Sequence, residues 1–172
     1  MSKAFTKESD LEIEESPALR LAELLPEGAT NYVTPDGARR MREELRELMM
    51  AENSEARGGE ESVADSQEKR RRDQRLRELQ EMLRGVEIVA PPEDDQKVVR
   101  FGALVTVRDE RADEFSYRIV GVHETDLPNG WVSWMSPIAK ALLNARIGDQ
   151  VHFQAPVGEM RLEIVDVEYP GD

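Results

Sequence analysis

Three carboxylates, Glu60, Glu61 and Asp65, crowd the stretch ARGGEESVAD at residues 56–65 and form a small acidic apex. Just beyond them runs a basic series, Lys69, Arg70, Arg71 and Arg72, continued by Arg75 and Arg77. Acids at a helix start accept hydrogen bonds from its free amides and suit its dipole, so capping is the commoner reason to find them there. The cations could bind RNA phosphates or acidic protein walls. The plainer reading is a solvated helical face that answers the Glu-rich segment before it. No aromatic residue is interleaved with them, so base stacking is not suggested. Other chemistry-bearing residues are scarce: there is no Cys, and the only histidines are His123 and His152. A disulfide framework and a thiolate zinc site are therefore excluded, and imidazole routes to a metal are nearly closed. Neither a Ser-His-Asp set nor a Gly-rich phosphate loop is apparent.

The elements that must position the apex read as a helical hairpin over residues 31–89. Thr34 is a good N-cap and Pro35 stands at the first helical position, where its missing N–H costs nothing. Ala38, Met41, Leu45 and Leu48 then recur at steps of three and four, and Leu76, Leu79, Leu83 and Val86 repeat the spacing on the way back. Packed antiparallel, Leu48 meets Leu76, Leu45 meets Leu79, Met41 meets Leu83 and Ala38 meets Val86, which centres the turn near residue 62. Gly58-Gly59 give the backbone freedom for the reversal, Ser62 caps the second helix, and Gly85 stops it. Extending the register outward pairs Glu52 with Arg72 and Glu55 with Lys69. The distal third of the seam is thus expected to be charged, and weak because such exposed pairs contribute at most about 1 kcal/mol each.

Around the hairpin the chain changes character. Residues 1–30 are acidic and lack a sustained period, so they read as a tail with at most a short helix at 18–25. A Pro- and acid-rich linker at 90–97 is followed by alternating segments, VVRFGALVTVRD, EFSYRIVGVHE, GWVSWMS, QVHFQA and EMRLEIVDVEY. Between the third and fourth, SPIAKALLNARIGD makes one short helix capped by Ser136 with Pro137 at its first position. Five strands and one helix over residues 98–170 predict a twisted antiparallel sheet wrapped on that helix, and hence an α+β chain. Trp131 and Trp134, three apart on a strand, are expected on opposite faces, one in the core and one partly exposed.

Net charge is -13, which argues against tight unaided binding to nucleic acid. Residues 1–30 carry -4, residues 34–86 carry -1 and residues 87–172 carry -8, and the hairpin holds 12 of the 23 basic residues. No segment approaches the roughly 18 apolar residues of a membrane span, and the first 30 residues are acidic where a signal peptide is basic and then apolar. The expectation is a cytoplasmic monomer with no membrane contact.

The strings NYVTPDGARRMREEL, FGALVTV and YRIVG, and above all SPIAKALLNARIGDQV followed by PVGEMRLEIVDVEY, resemble the Gre family of bacterial transcript cleavage factors, the GreA/GreB type, over residues 31–172. The resemblance implies a coiled-coil hairpin inserted into the secondary channel of RNA polymerase and an FKBP-like domain docked on the channel's outer rim. It implies no cofactor of the chain's own; acids at the coil tip share the polymerase's Mg²⁺, so that a backtracked transcript is cut by the polymerase and the factor itself is not an enzyme. Hard cations take oxygen ligands, which suits such acids. Glu60, Glu61 and Asp65 are the candidates. Ser136, Pro137, Ile138, Ala139 and Lys140 are the implied rim contacts, with Lys140 standing where the family usually has Arg and Met135 where it often has Asp or Asn. The plainer reading, compatible with the first, is a well-capped helix packing Ile138, Leu142 and Leu143 into the sheet. Lys69, Arg70, Arg71 and Arg72 are candidates to meet nascent RNA.

Two departures shape the expectation. The family's tip motif, D-x-x-E-N, does not occur; Asp65-Ser-Gln-Glu68 has the spacing but runs into Lys69 and lies past the turn. The hairpin is also about one heptad per arm shorter than the family pattern, which removes roughly 10 Å of reach, while a carboxylate ligates an ion only within about 2.0–2.6 Å. The expected function is therefore a Gre-type channel-binding elongation factor whose cleavage stimulation is weak or lost. Alternatives are a fully cleavage-proficient factor, a prolyl isomerase on the FKBP-like fold, and a coiled-coil interaction module outside transcription.

Overall fold

A computed structural model describes Leu25 and residues 28–55, 63–155 and 158–170, giving the backbone alone at 54, 55 and 63–65. Strand β1 (Asn31–Val33) leads into helix α1 (Pro35–Glu55), and helix α2 (Val63–Leu83) returns to strand β2 (Val86–Ile88). Thr34 caps α1 as expected: its Oγ1 accepts from the Gly37 amide at 3.0 Å. The seam closes at its base, where Val33, Ala38, Met41 and Leu79 are buried together with Leu45, Leu48, Leu83 and Val86 packed around them. Ala38 and Leu79 are fully buried, whereas Met49 and Met50 further out are 45% and 63% exposed. Apolar burial therefore anchors the hairpin at the domain end and fades along the rod.

One inter-arm contact beyond the leucines is an ion pair. Arg75 grips Glu44 through Nε at 2.6 Å and a terminal nitrogen at 2.9 Å. This hydrogen bonding to Glu44 holds the Arg75 guanidinium above its already high range. Glu55 and the apex lie outside the residues whose side chains are described, so the expected Glu55–Lys69 pair falls there too. Val86 departs from the expectation: the chain leaves α2 at Gly85, with φ of 75°, and Val86 starts β2, which pairs parallel with β1 through Asn31↔Val86, Tyr32↔Glu87 and Val33↔Ile88. The two ends of the hairpin are thus stitched by backbone hydrogen bonds where helical packing was expected.

The sheet contains β3 (Leu104–Asp109), β4 (Glu114–Val120), β5 (Trp131–Ser133), β6 (Gln150–Ala155) and β7 (Gly158–Glu168) in the order β5-β4-β3-β7-β6. It is antiparallel except at one edge, where β5 runs parallel to β4. A parallel neighbour needs a crossover, and residues 121–130 supply it with two 3₁₀ turns, Val122–Glu124 and Leu127–Asn129. Helix α3 (Pro137–Leu142) places Ile138, Ala139 and Leu142 against Val105, Val107, Ile119, Leu162 and Ile164. Ile164 and Val167 both point inward although three residues apart, because β7 carries an extra residue where the register with β3 shifts between Thr106 and Val107. Tyr169 closes the domain: its hydroxyl donates to the Val98 carbonyl at 2.6 Å and accepts from the Arg100 amide at 2.9 Å.

Candidate functional site

Hairpin and sheet meet at a joint built around one buried carboxylate. Glu124, on the first 3₁₀ turn, is 6% exposed and faces Thr34, which is 2% exposed. The Glu124 carboxylate accepts from the Thr34 amide at 2.9 Å, from the Thr34 hydroxyl, and from the Gly121 amide at 2.9 Å. Thr34 thus caps α1 and at the same time hands its own N–H and O–H to the domain. The space is closed to larger residues: a Cβ on Gly37 would lie 1.9 Å from Glu124 Oε1, and one on Gly121 would lie 2.2 Å from the Tyr32 carbonyl oxygen.

Aromatic and charged contacts ring this centre. Tyr32 meets Trp134 edge-on at 5.3 Å and Phe101 at 5.9 Å between ring centroids. The guanidinium groups of Arg40 and Arg118 lie 4.7 and 5.0 Å from the Trp131 ring centre, so a helix residue and a strand residue share one indole. Asp36 lies within 3.3 Å of Arg40 and 3.9 Å of Arg118. The two tryptophans are therefore not divided between core and surface as expected. Both are half-buried, Trp131 under the arginines and Trp134 in the turn after β5 against Tyr32. Burial pushes the imidazole pKa of neighbouring His123 below the usual range.

The proposed rim residues are brought together but do not all face outward. Ser136 Oγ accepts from the Ala139 amide at 3.2 Å and caps α3. Ile138 and Ala139 are 9% and 0% exposed and belong to the core, leaving exposed Pro137 and Lys140 with half-buried Ser136 and Met135 as the surface a partner can touch. On α2, Lys69, Arg70 and Arg71 are exposed and Arg72 is half-buried. Arg70, Asp73, Gln74 and Arg77 line a shallow open groove, so acid and base alternate there. Glu60 and Glu61 lie outside the described residues, as does the Gly58-Gly59 reversal with Ser62; Asp65 is placed only as a backbone position in the first turn of α2.

Among the described residues no group of three or more His, Asp or Glu stands close enough to hold a metal ion, and no helix is long and apolar enough to cross a membrane. A cleft of about 50 Å³ at the joint, lined by Thr34, Pro35, Asp36, Val89, Pro91, Gly102, Arg118 and Pro170, is well below the few hundred Å³ of a ligand pocket. It is too small to seat a proline-containing peptide.

Reading the sequence did not find Glu124, Arg118 or Arg40. In GVHETD the glutamate looks like any surface acid, and the partner that buries it is 90 positions away. The signal available was indirect: glycines at 37 and 121 that no turn or helix stop explains.

Comparison with known proteins gives a consistent picture. The family model described as transcription elongation factor, GreA/GreB, C-term, matches residues 93–169. Transcription elongation factor GreB of Pseudomonas aeruginosa is 34% identical over 154 residues, covering 82% of this chain and 92% of that protein. Transcription elongation factor GreA of Rhodospirillum rubrum is 35% identical over 151 residues, covering 80% and 96%. The solved GreA/GreB factor of Nitrosomonas europaea is 24% identical, covering 82% of this chain and 99% of that one at a TM-score of 0.41, too low to bear on how the parts are placed. Since 82% of 172 residues is about 141, about a dozen of the 154 aligned positions have no counterpart in this chain. The Rhodospirillum alignment shows a deficit of the same size.

Proposed function

The chain belongs to the GreA/GreB family of transcription elongation factors, and from that premise we propose that it binds RNA polymerase as a monomer, sets its domain on the rim of the secondary channel and passes the α1–α2 rod inside. The observation that supports this best is the joint: an exposed two-helix rod fixed to the family-matched domain by buried hydrogen bonds, so that docking the domain also aims the rod. The rod's 21-residue helices span about 31 Å at 1.5 Å per residue. Pro137 and Lys140, with Ser136 and Met135 beside them, make the rim contact. Ile138 and Ala139 support it from the core.

In this reading the factor works in the cytoplasm and carries no ion or catalytic group of its own. Mg²⁺ belongs to the polymerase, and Glu60, Glu61 and Asp65 are the candidate acids in the sequence between and at the start of the two helices. Two features argue that they stimulate transcript cleavage weakly or not at all. The D-x-x-E-N string is missing, and each arm reads about one heptad shorter than the family pattern, shortening the rod by roughly 10 Å. Ligation tolerates no such gap, because it needs an oxygen within about 2.0–2.6 Å of the ion. The rod then acts by occupying the channel. Lys69, Arg70, Arg71 and Arg72 meet RNA phosphates there, the lysine as a point charge and the arginines through their forked guanidinium groups.

The binding half is tested by co-elution with purified RNA polymerase on gel filtration. The wild-type chain is expected to co-elute, and Ser136→Glu, which puts a charge at the rim, is expected to weaken the complex at least tenfold. Absence of any complex, or a complex indifferent to Ser136→Glu and to Pro137→Ala, would remove the reading and favour a coiled-coil module outside transcription.

A further inference from the structure

We propose that Glu124 and Thr34 form a positioning latch that sets the direction in which the helical rod points from the domain. In this pair one carboxylate hydrogen-bonds both bodies at once. The carboxylate takes the Thr34 amide and hydroxyl from the first turn of the rod and the Gly121 amide from the domain's own loop. Two of the three donors are backbone N–H groups, which move only with the main chain. Their directions therefore transmit the orientation of α1 to the 121–124 turn and back.

Apart from the close approach of Gly121 to the Tyr32 carbonyl, the side-chain contacts across the joint hold without aiming. Arg40 and Arg118 reach Trp131 and Asp36 on long side chains that can follow a tilt. Tyr32 against Trp134 and Phe101 is apolar packing that tolerates sliding. Burial adds a second argument. An acid 6% exposed is costly to keep unless its oxygens are fully engaged, and here they are engaged by rod and domain together. Glycine at 37 and at 121 keeps open the space that the carboxylate fills: a methyl group at Gly37 would overlap Glu124 Oε1, and one at Gly121 would stand 2.9 Å from Oε2.

The lever is long. Over the roughly 31 Å of α1, a tilt of about 10° at the base moves the far end by about 5 Å, twice the length of a metal–oxygen bond. What the latch does for polymerase rests on the reading proposed above; whether it aims the rod does not, and the free protein can answer.

The chain has no Cys, so Met50→Cys, exposed on the rod, and Glu163→Cys, exposed on β7, give one clean spin-label pair. Double electron–electron resonance on the full chain should show a single narrow distance distribution. Thr34→Val, which removes one hydroxyl at constant shape, and Glu124→Ala are expected to broaden or displace it at least twofold in width, with the helical signal by circular dichroism retained. Thr34→Ser, which keeps the hydroxyl, is expected to restore the parent width, a rescue that loss of packing would not give. Because Thr34→Val also removes the α1 cap on Gly37, Glu124→Gln decides if Glu124→Ala does not fold. It keeps the side-chain volume and leaves that cap in place while replacing one accepting oxygen by an amide NH2. It is expected to broaden the distribution as Thr34→Val does, an unchanged width overturning the proposal. An unchanged distribution in Thr34→Val, or equal broadening in Thr34→Ser, overturns the proposal. Broadening in a protein that never binds polymerase upholds the latch and sinks the polymerase reading alone.

Discussion

Truncating Leu79 tests whether the rod is held from its base. Leu79 is fully buried among Val33, Ala38 and Met41, and it is the one leucine of the described seam that is. Leu→Ala in such a site removes the transfer energy of the side chain and leaves a cavity, together about 2–5 kcal/mol. Leu48, half-buried further out, keeps part of its surface in water and leaves a space that water can enter. A full leucine contributes about 2 kcal/mol by area, so Leu48→Ala should cost about 1 kcal/mol. Urea denaturation followed by helical ellipticity gives the rod, and tryptophan fluorescence gives the joint and sheet edge, where Trp131 and Trp134 sit. Leu79→Ala is expected to lower the ellipticity-monitored stability by at least twice the Leu48→Ala loss. A cost below about 1 kcal/mol, or one equal to that of Leu48→Ala, would refute the idea that apolar burial is concentrated at the domain end.

Further outcomes follow from single contacts. A double-mutant cycle on Glu44 and Arg75 should give a coupling of no more than about 1 kcal/mol, falling with added salt, because both side chains are about 40% exposed even though the pair is two-pronged. Tyr169→Phe removes the hydroxyl that joins Val98 and Arg100 and should destabilise the domain by about 1–3 kcal/mol in a denaturant titration. Burial lowers the His123 pKa in the folded chain, so on acidification the unfolded chain takes up that proton first. The His123 contribution is therefore fully present above about pH 6.5, the ordinary value, and is lost as pH falls below it. His123→Gln should flatten the part of the stability–pH curve between neutrality and mild acid, measured by urea midpoints; an unchanged slope would contradict the assignment.

Much of this architecture was legible because it is written in short-range periods. The three-and-four spacing of Ala38, Met41, Leu45 and Leu48 and its echo at Leu76, Leu79 and Leu83 located both helices, and Thr34 and Ser136 cap where cap chemistry says they should. Val86 joins the seam cluster as its step from Leu83 suggests, but on a strand paired with Asn31 instead of a helix, and a three-residue parallel pairing leaves no pattern in either segment. The parallel edge at β5 was hidden for a related reason. Whether a strand runs with or against its neighbour depends on the crossover, and residues 121–130 spend theirs on two 3₁₀ turns rather than on a helix with a visible period. Rim residues were legible as a group from the resemblance. The capped-helix reading already packs Ile138 into the sheet, whereas Ala139 counts as core only once Val105 and Leu162 are seen beneath it. The joint was the least legible part, since Glu124 becomes special only through contacts that fold brings from the other end of the chain.

A consequence concerns how stability is shared along the molecule. The sheet core and the seam are separate apolar clusters, and what connects them is polar and aromatic. Such a joint does not merge the two apolar clusters, so seam and sheet can lose stability separately.

Adding the purified protein to stalled, backtracked RNA polymerase and following the 3′ end of the transcript tests the central claim most directly. The account predicts a formed complex with little or no shortening of the RNA, and no difference when Glu60, Glu61 and Asp65 are all changed to Ala. Rapid shortening that disappears in the triple variant would contradict it.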